Sequence, residues 1–168
     1  MNIFYLSHDP EEAASYHYNK HIVKMPLEAA QMLCTAHHVL GEQYDYDTSY
    51  VPYRKAHVNH PSTIWVRSNK LHYEWLYDYM IALGRLYTER YKKQHLTIEK
   101  CRDILFTAPE GIPDTGYWQD PPQCMPDEYK SDNAIHAYWN YYINDKHKIV
   151  TKNEVPYNFI PSDVFIGA

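Results

Sequence analysis

The sequence has little cysteine, little glycine and no excess of positive charge, and each shortage argues against a class of protein. Three cysteines without Cys-x-x-Cys spacing predict reduced thiols, with neither a disulfide framework nor a zinc motif. With five glycines the chain contains no GxGxxG and no GxxxxGK[ST], and it also lacks HExxH and GxSxG. Dinucleotide-binding, P-loop, zincin and α/β-hydrolase proteins therefore have no support.

Long apolar runs are also missing, so the sequence predicts no membrane span. The opening residues MNIFYLSHDPEEAA reach acidic side chains without a basic stretch, which is unlike a signal peptide. We therefore expect a cytoplasmic protein that does not associate with a membrane. The net charge of −5 gives no global basic field, so a nucleic-acid role would need a local basic patch.

Tyrosine and histidine are abundant instead, with 18 and 11 residues in 168. Tyrosine combines a large apolar ring with a hydroxyl group and often grips planar ligands or partners. Plain core packing explains most of these rings equally well.

The stretch His17 to His38 has an unusual helical pattern. At 100° per residue it places its polar residues on one stripe about 100° wide, with apolar residues around the rest of the helix. The stripe holds His17, His21, Lys24, Glu28, Gln31, Thr35 and His38. Such a helix is buried on most sides, so its polar stripe faces either solvent or a functional cleft.

The composition of the stripe favours a cleft, because a carboxylate beside imidazoles and an ammonium suits general acid–base chemistry. Lys24 and Glu28 stand at i,i+4 and can pair across one turn. His17 and His21 with Glu28 could also hold a metal, but hydrogen-bonded histidines are the commoner outcome. The sequence therefore predicts no metal and no cofactor.

The remaining patterns predict an all-α fold, a compact single-domain helical bundle over 1–168 with long loops. Asn2 to Leu6 is a short strand or an extended segment on the core, and Ser7 or Asp9 caps a first helical turn at Pro10. Gly41 is expected to end the central helix. Further helices are predicted over Thr63–Arg67, Lys70–Gln94, Thr97–Phe106 and from Ser131 or Asp132 to Ile149.

Two irregular segments carry further candidates. Residues 42–61 gather basic and aromatic side chains, as either a solvated loop or a binding loop. The proline-rich residues 107–130 are long enough to be functional or mobile and could cover a site. An apolar tail, 150–168, could pack on the body or on a partner. Candidate substrate-binding residues are His17, Gln31, Arg54, Lys55, His57, Asn59, His60, Arg67, Trp118, Tyr129, Tyr138 and Tyr142.

Four segments resemble a widespread set of small tailed-phage proteins of unassigned function, over nearly the whole chain. They are HDPEEAASYHYNKHIVKMPLEAAQMLCTAHHVL, HVNHPSTIW, PPQCMPDEYK and AYWNYY. More remotely, the chain is similar to the phage pyrimidine-dimer DNA glycosylases of the endonuclease V type. Those compact all-helical enzymes carry a catalytic glutamate seven residues after a histidine, which here corresponds to His21 and Glu28. A long helix after His60-Pro61 and the pair Tyr141-Tyr142 are also similar.

The resemblance implies DNA repair by a glycosylase and lyase, a hydrolase-like activity without a cofactor. An amine would attack C1′ of a damaged nucleotide to form a Schiff base, and Glu28 would stabilise the cationic sugar and assist proton transfer. The resembled enzymes use the α-amine of a threonine exposed by methionine removal. This chain begins Met1-Asn2, so the amine belongs to Met1 or Lys24, or the lyase chemistry is lost. His21 completes the catalytic candidates.

A protein that only binds is the alternative: a non-catalytic pocket protein that sequesters a nucleotide-like molecule, as an anti-defence protein does. Its tyrosines would stack on a base while histidines contact phosphates. The predicted partner is thus DNA or a nucleotide ligand. The oligomeric state stays open, with a homodimer among the alternatives.

Overall fold

A computed structural model describes residues 1–150, and in this range the chain is helical without a β-strand. The predicted tail, 150–168, lies almost wholly outside the described residues. The α-helices are α1 Pro10–Ser15, α2 Asn19–Tyr44, α3 Pro61–Ser68, α4 Lys70–Tyr91, α5 Leu96–Leu105 and α6 Ala134–Asn144. Short 3₁₀ turns occupy Asp127–Tyr129 and Lys146–Ile149. The all-α prediction is confirmed, while the assignment of 1–168 to one domain stays a prediction.

The N-terminal residues 2–6 form an extended segment that has no partner strand within residues 1–150. Ile3, Phe4, Tyr5 and Leu6 are all buried in the core. The Nε1–H of Trp139 in α6 donates a hydrogen bond to the Leu6 carbonyl at 2.8 Å, which satisfies one of its backbone groups. Of the two predicted forms, the extended segment laid on the core is the one observed.

Helix α1 begins where its capping residues predict. The Asp9 carboxylate accepts from the backbone N–H groups of Glu11 and Glu12, and Pro10 occupies the first turn. Both features satisfy or remove N–H groups that a helix start leaves without partners.

Helix α2 runs three residues past Gly41, so the prediction that this glycine ends the helix is wrong. The loop that follows folds back against Gly41: the Tyr46 N–H donates to its carbonyl at 2.9 Å. A Cβ at Gly41 would lie 2.5 Å from Thr48 Cγ2, so the missing side chain serves this close approach. The helix ends at Asp45, a non-glycine residue in the left-handed conformation with φ 58°.

Helices α3 and α4 meet at Asn69, close to the predicted break. Asn69 is extended, and its side chain accepts from the Leu71 N–H to start α4. Helix α4 packs on α1, α2 and α3, with Leu76, Met80 and Leu83 fully buried. Helix α6 ends at Asn144, five residues before the predicted Ile149, and a 3₁₀ turn follows it.

The proline-rich residues 107–130 are irregular, as predicted, and they are attached to the junction of α3 and α4. The Pro113 carbonyl accepts from the Lys70 N–H at 2.8 Å, and the Gln119 carbonyl accepts from Trp65 Nε1 at 2.8 Å. The Gln119 N–H in turn donates to His72 Nε2. No helix in residues 1–150 has the length and apolarity to cross a membrane.

Candidate active site at the N-terminus

The carboxylate of Glu28 on α2 lies close to two amines. Its Oε1 lies 3.6 Å from the α-amine of Met1, and its Oε2 lies 3.5 Å from Lys24 Nζ. The Glu28 side chain is 15% exposed, and the Met1 side chain only 2%, whereas Lys24 is 70% exposed. The α-amine is therefore held by a buried residue, while the lysine reaches the carboxylate from solvent.

The buried extended segment places the α-amine. Residues 3–6 are buried in the core, and the Met1 α-amine just before them lies beside Glu28 of α2. The side chain of Asn2 anchors this end of the chain: Oδ1 accepts from the Ile3 N–H at 2.8 Å, and Nδ2 donates to the Cys124 carbonyl at 3.0 Å.

His60 lies within the electrostatic range of this pair. Burial lowers the pKa of His60, the positive N-terminus and His57 lower it further, and Glu28 opposes them. Its Nδ1 accepts from the Ser62 N–H at 3.1 Å, which caps α3. In the neutral ring the proton is therefore on Nε2, so His60 can present a donor near Met1 and Glu28.

Tyr79 in the core lies within the electrostatic range of Glu28. Burial raises the pKa of the Tyr79 hydroxyl well above its usual value, and the negative charge of Glu28 adds to the effect. Tyr79 is fully buried, whereas the Glu28 side chain is 15% exposed and pairs with Met1 and Lys24.

His17 and His21 are buried, so this end of the predicted polar stripe faces neither solvent nor an open cleft. His17 Nδ1 donates to the Ala13 carbonyl at 2.8 Å, which leaves Nε2 to accept from the Tyr79 hydroxyl at 2.6 Å. His21 hydrogen-bonds Tyr142 at 2.8 Å and stacks on Phe4 with ring centroids 4.4 Å apart. Burial lowers the pKa of His17 to about 3 and that of His21 to about 2, so both rings are neutral.

The middle of the stripe, in contrast, remains accessible. Lys24 is exposed, and Glu28 and Gln31 are half-buried. Within residues 1–150 no three His, Cys, Asp or Glu side chains converge to hold a metal ion. The stripe therefore divides into a buried histidine pair and a short accessible stretch centred on Glu28.

The loop between α2 and α3 is fixed against α2. Thr35 Oγ1 accepts from the Ala56 N–H at 3.0 Å, and His38 Nε2 donates to the Tyr53 carbonyl at 2.7 Å. His57, whose φ is 49°, turns the chain toward α3. Arg54, Lys55, His57 and Asn59 are exposed on this loop.

Two of the cations near the loop between α2 and α3 are bonded to other protein groups. Lys55 pairs with Glu42, and Arg67 donates from Nη1 to the Val58 carbonyl at 2.8 Å. Arg54 has an exposed side chain on the same loop. Of these three cations, Lys55 is therefore paired with a carboxylate and Arg67 is bonded to a backbone carbonyl.

The other predicted binding residues are distributed over different places. Tyr138 and Tyr142 are buried, Tyr142 against His21 and Tyr138 against the N-terminal segment. Trp118 packs with Trp65 and Trp75. Tyr129 lies against Tyr141, with ring centroids 5.4 Å apart. The structure therefore does not bring these four side chains to the accessible side of Glu28.

Sequence reasoning did not single out Asn2 or Phe4. Both act through contacts with residues far along the chain, Asn2 with the Cys124 carbonyl and Phe4 with His21 and Tyr142. No spacing rule relates such positions, so the sequence contained no signal for them.

The described residues thus define an all-helical protein with an amine–carboxylate pair at its N-terminus. A family model described as pyrimidine dimer DNA glycosylase matches residues 1–99, and the chain belongs to that family. The matched part contains Met1, Lys24, Glu28 and His60. The resemblance seen in the sequence is confirmed at this level. No curated protein and no solved structure matches the chain.

Proposed function

We propose that this protein is a DNA glycosylase with lyase activity, which uses the α-amine of Met1 as nucleophile and the Glu28 carboxylate as its partner. The observation that carries the proposal is the 3.6 Å distance between these groups, inside the region matched by the family model. The substrate class is duplex DNA that contains a pyrimidine dimer or an abasic site.

The pair suits two successive bond changes. The α-ammonium first loses a proton to solvent, and the free amine then attacks C1′. The new N–C1′ bond replaces the glycosidic bond, the base leaves with the bonding electrons and takes up a proton, and the attacking nitrogen gives one up. The C1′–O4′ bond then opens to give a protonated imine, with O4′ taking a proton. Glu28 stabilises the positive charge on the sugar and removes a C2′ proton, which allows the 3′ phosphate to leave.

Met1 fits the nucleophile role better than Lys24. A nucleophile must be held at a fixed distance from its target, and the buried Met1 side chain provides that restraint. Lys24 carries a long side chain that is mostly in solvent, so its amine samples many positions. We assign Lys24 to the electrostatic environment of Glu28.

His60 and the loop before it are proposed to contact the DNA backbone. Arg54, Lys55, His57 and Asn59 are exposed there, and Arg67 and Gln31 flank the loop and the site. Phosphate contacts by such residues make binding depend on salt, with a logarithmic slope of about −0.9 per neutralised phosphate. His17, His21, Tyr138 and Tyr142 support the site from the core and do not touch DNA in this proposal.

The pocket protein that sequesters a nucleotide has less support. The family match favours the enzyme, and the aromatic rings Tyr138 and Tyr142 that would have stacked on a base are buried. The part of the chain that the structure describes offers no observation that favours this alternative.

Borohydride trapping tests the proposal. The protein is mixed with a duplex containing one abasic site or one pyrimidine dimer, and reduction of the imine leaves a covalent adduct. We expect an adduct whose mapped peptide carries the sugar on the Met1 nitrogen. Absence of an adduct with both duplexes, together with no duplex binding at low salt, would contradict the proposal.

Glu28→Gln tests whether the carboxylate serves catalysis rather than folding. Loss of its charge is expected to slow strand cleavage by at least about 100-fold while the melting temperature changes little, because the side chain lies at the edge of the core. Glu74→Gln is the control for loss of one carboxylate charge, since Glu74, like Glu28, pairs with a lysine one turn earlier, but at an exposed position of α4. Equal cleavage by Glu28→Gln and the wild type would remove Glu28 from the mechanism.

A further inference from the structure

Asn2 connects the N-terminus to parts of the chain outside the region matched by the family model. Its Nδ2 donates to the Cys124 carbonyl at 3.0 Å, and its Oδ1 accepts from the Ile3 N–H at 2.8 Å. The amide thus uses both ends, one toward its own strand-like segment and the other toward the proline-rich residues 107–130. These bonds determine which way the residue before it can point.

Tyr138 of α6 also contacts the Asn2 amide. Its hydroxyl lies 3.2 Å from Asn2 Oδ1 and also contacts the Pro122 carbonyl, so its single proton is shared between two oxygens. The same hydroxyl accepts from the Cys124 N–H at 3.3 Å. The ring is fully buried, which makes the hydroxyl a fixed point for both Asn2 and residues 122–124.

Cys124 joins the group to α3, where His60 caps the helix. Its sulfur lies 3.4 Å from Ser62 Oγ, and Ser62 donates its backbone N–H to His60. The N-terminus, the proline-rich residues 107–130 and α6 therefore meet at the Asn2 amide, and Cys124 links this group to α3. We name these four residues, Asn2, Cys124, Tyr138 and Ser62, the N-terminal clamp.

We infer that Asn2, held by Tyr138 and by the Cys124 carbonyl, is a positioning residue that aims the Met1 α-amine at Glu28. This inference rests on the proposed function, because it assigns the clamp a role in orienting the nucleophile. Misplacement of a nucleophile by about 1 Å can cost about 100-fold in rate. The clamp restrains the residue adjacent to the amine, where small rotations displace it most.

The test uses two variants, each of which removes a different member of the N-terminal clamp. Tyr138→Phe removes the fixed hydroxyl far from the N-terminus, and Asn2→Leu removes both amide bonds while keeping a side chain of similar size. The matched control is Tyr73→Phe, which also deletes a buried hydroxyl, one that donates to the Leu105 carbonyl. Intact mass first establishes that Met1 is retained in each variant.

With DNA, we expect both clamp variants to lower the single-turnover rate of borohydride-trappable imine formation by about 10-fold or more. The KM for the duplex should stay within about twofold, because the clamp residues do not contact DNA in this arrangement. Tyr73→Phe should match the wild type in both quantities. A wild-type trapping rate in both clamp variants would overturn the inference while leaving the proposed function intact.

A second measurement uses no DNA. Formaldehyde with cyanoborohydride methylates amines, and peptide mass spectrometry reports the fraction of Met1 modified over time. An amine released from the clamp is more accessible, so we expect both clamp variants to react at least about twofold faster than the wild type and Tyr73→Phe. Identical Met1 labelling in all four proteins would overturn the inference whether or not the protein forms DNA adducts.

Discussion

Glu28 has two cationic neighbours at nearly the same distance, and they differ in how firmly they are held. The α-amine of Met1 lies 3.6 Å from Oε1 on a residue whose side chain is packed against the core. Lys24 Nζ lies 3.5 Å from Oε2 on an exposed side chain. Exposed ion pairs at i,i+4 contribute only about 0.3–0.5 kcal/mol, so the lysine is readily displaced.

Lys24→Gln should therefore leave the covalent chemistry in place. We expect the adduct still to form, with the sugar mapped to Met1, and the rate to fall by no more than about 10-fold through the lost positive charge near Glu28. Trapping followed by peptide mapping measures both. Complete loss of the adduct in Lys24→Gln, with the fold intact by circular dichroism, would transfer the nucleophile role to Lys24.

The individual residues of the site were partly predictable. The i,i+4 spacing of Lys24 and Glu28 is a local property of a helix, and the structure shows this pair. The burial of His17 and His21 was not predictable, because residues 2–6 and α6 cover them from distant parts of the sequence. A helical wheel shows which side chains share a face but not which element covers that face.

At the scale of elements, α4 and α5 approach each other through a glycine. A Cβ built on Gly84 would lie 2.4 Å from Ile98 Cγ1 and 2.7 Å from Ile98 Cδ1. Both residues are buried, and isoleucine is stiff at χ1, so the contact leaves little room for adjustment.

Gly84→Ala is expected to destabilise the protein by about 1–3 kcal/mol, because overpacking outweighs the better helix propensity of alanine. Urea denaturation measures the change in the free energy of unfolding. Ile98→Ala removes both contacted carbons, so Gly84→Ala should be neutral or stabilising when it is introduced into Ile98→Ala. Additive effects in the double variant would show that the two positions do not contact each other.

The helices themselves were largely predictable from caps and periodicity. Asp9 and Pro10 start α1, and Asn69 separates α3 from α4, as local backbone hydrogen bonding requires. The end of α2 was mispredicted because Gly41 was interpreted as a helix terminator. Its role is steric, set by Thr48 in a loop whose path the sequence does not specify.

Four buried histidines, His17, His21, His37 and His72, make the stability of the whole molecule depend on pH, because burial lowers the pKa of each. Burial lowers the pKa of His17 to about 3, of His21 to about 2 and of His37 to about 4. His37 donates from Nε2 to Tyr73, whose own proton goes to the Leu105 carbonyl. The buried Nδ1 of His37 has no hydrogen-bond partner.

Because these pKa values are lower in the folded state, the unfolded chain takes up protons first as the pH falls below about 6.5. Stability is therefore fully present above that pH and is lost progressively as the pH falls from about 6.5 toward the folded pKa values. Between pH 7 and pH 5 His17, His21 and His37 should each cost about 2 kcal/mol, or about 6 kcal/mol together, and His72 adds to this loss.

Urea denaturation at pH 7 and pH 5 measures this loss. His37→Leu should reduce it by about 2 kcal/mol, since Leu cannot take up a proton. His147→Gln, at an exposed histidine, should leave it unchanged. Equal unfolding free energies at the two pH values would contradict the neutral state of the buried rings.

The distance between Met1 and Glu28 also has a practical consequence for preparing the protein. Any acyl group on the first nitrogen, whether a formyl group, an acetyl group or a fused purification tag, converts the amine into an amide. An amide nitrogen has no basic lone pair to attack C1′ and no positive charge to pair with Glu28. Under the proposed mechanism, such a preparation would bind damaged DNA and still be inert, so tags belong at the other terminus.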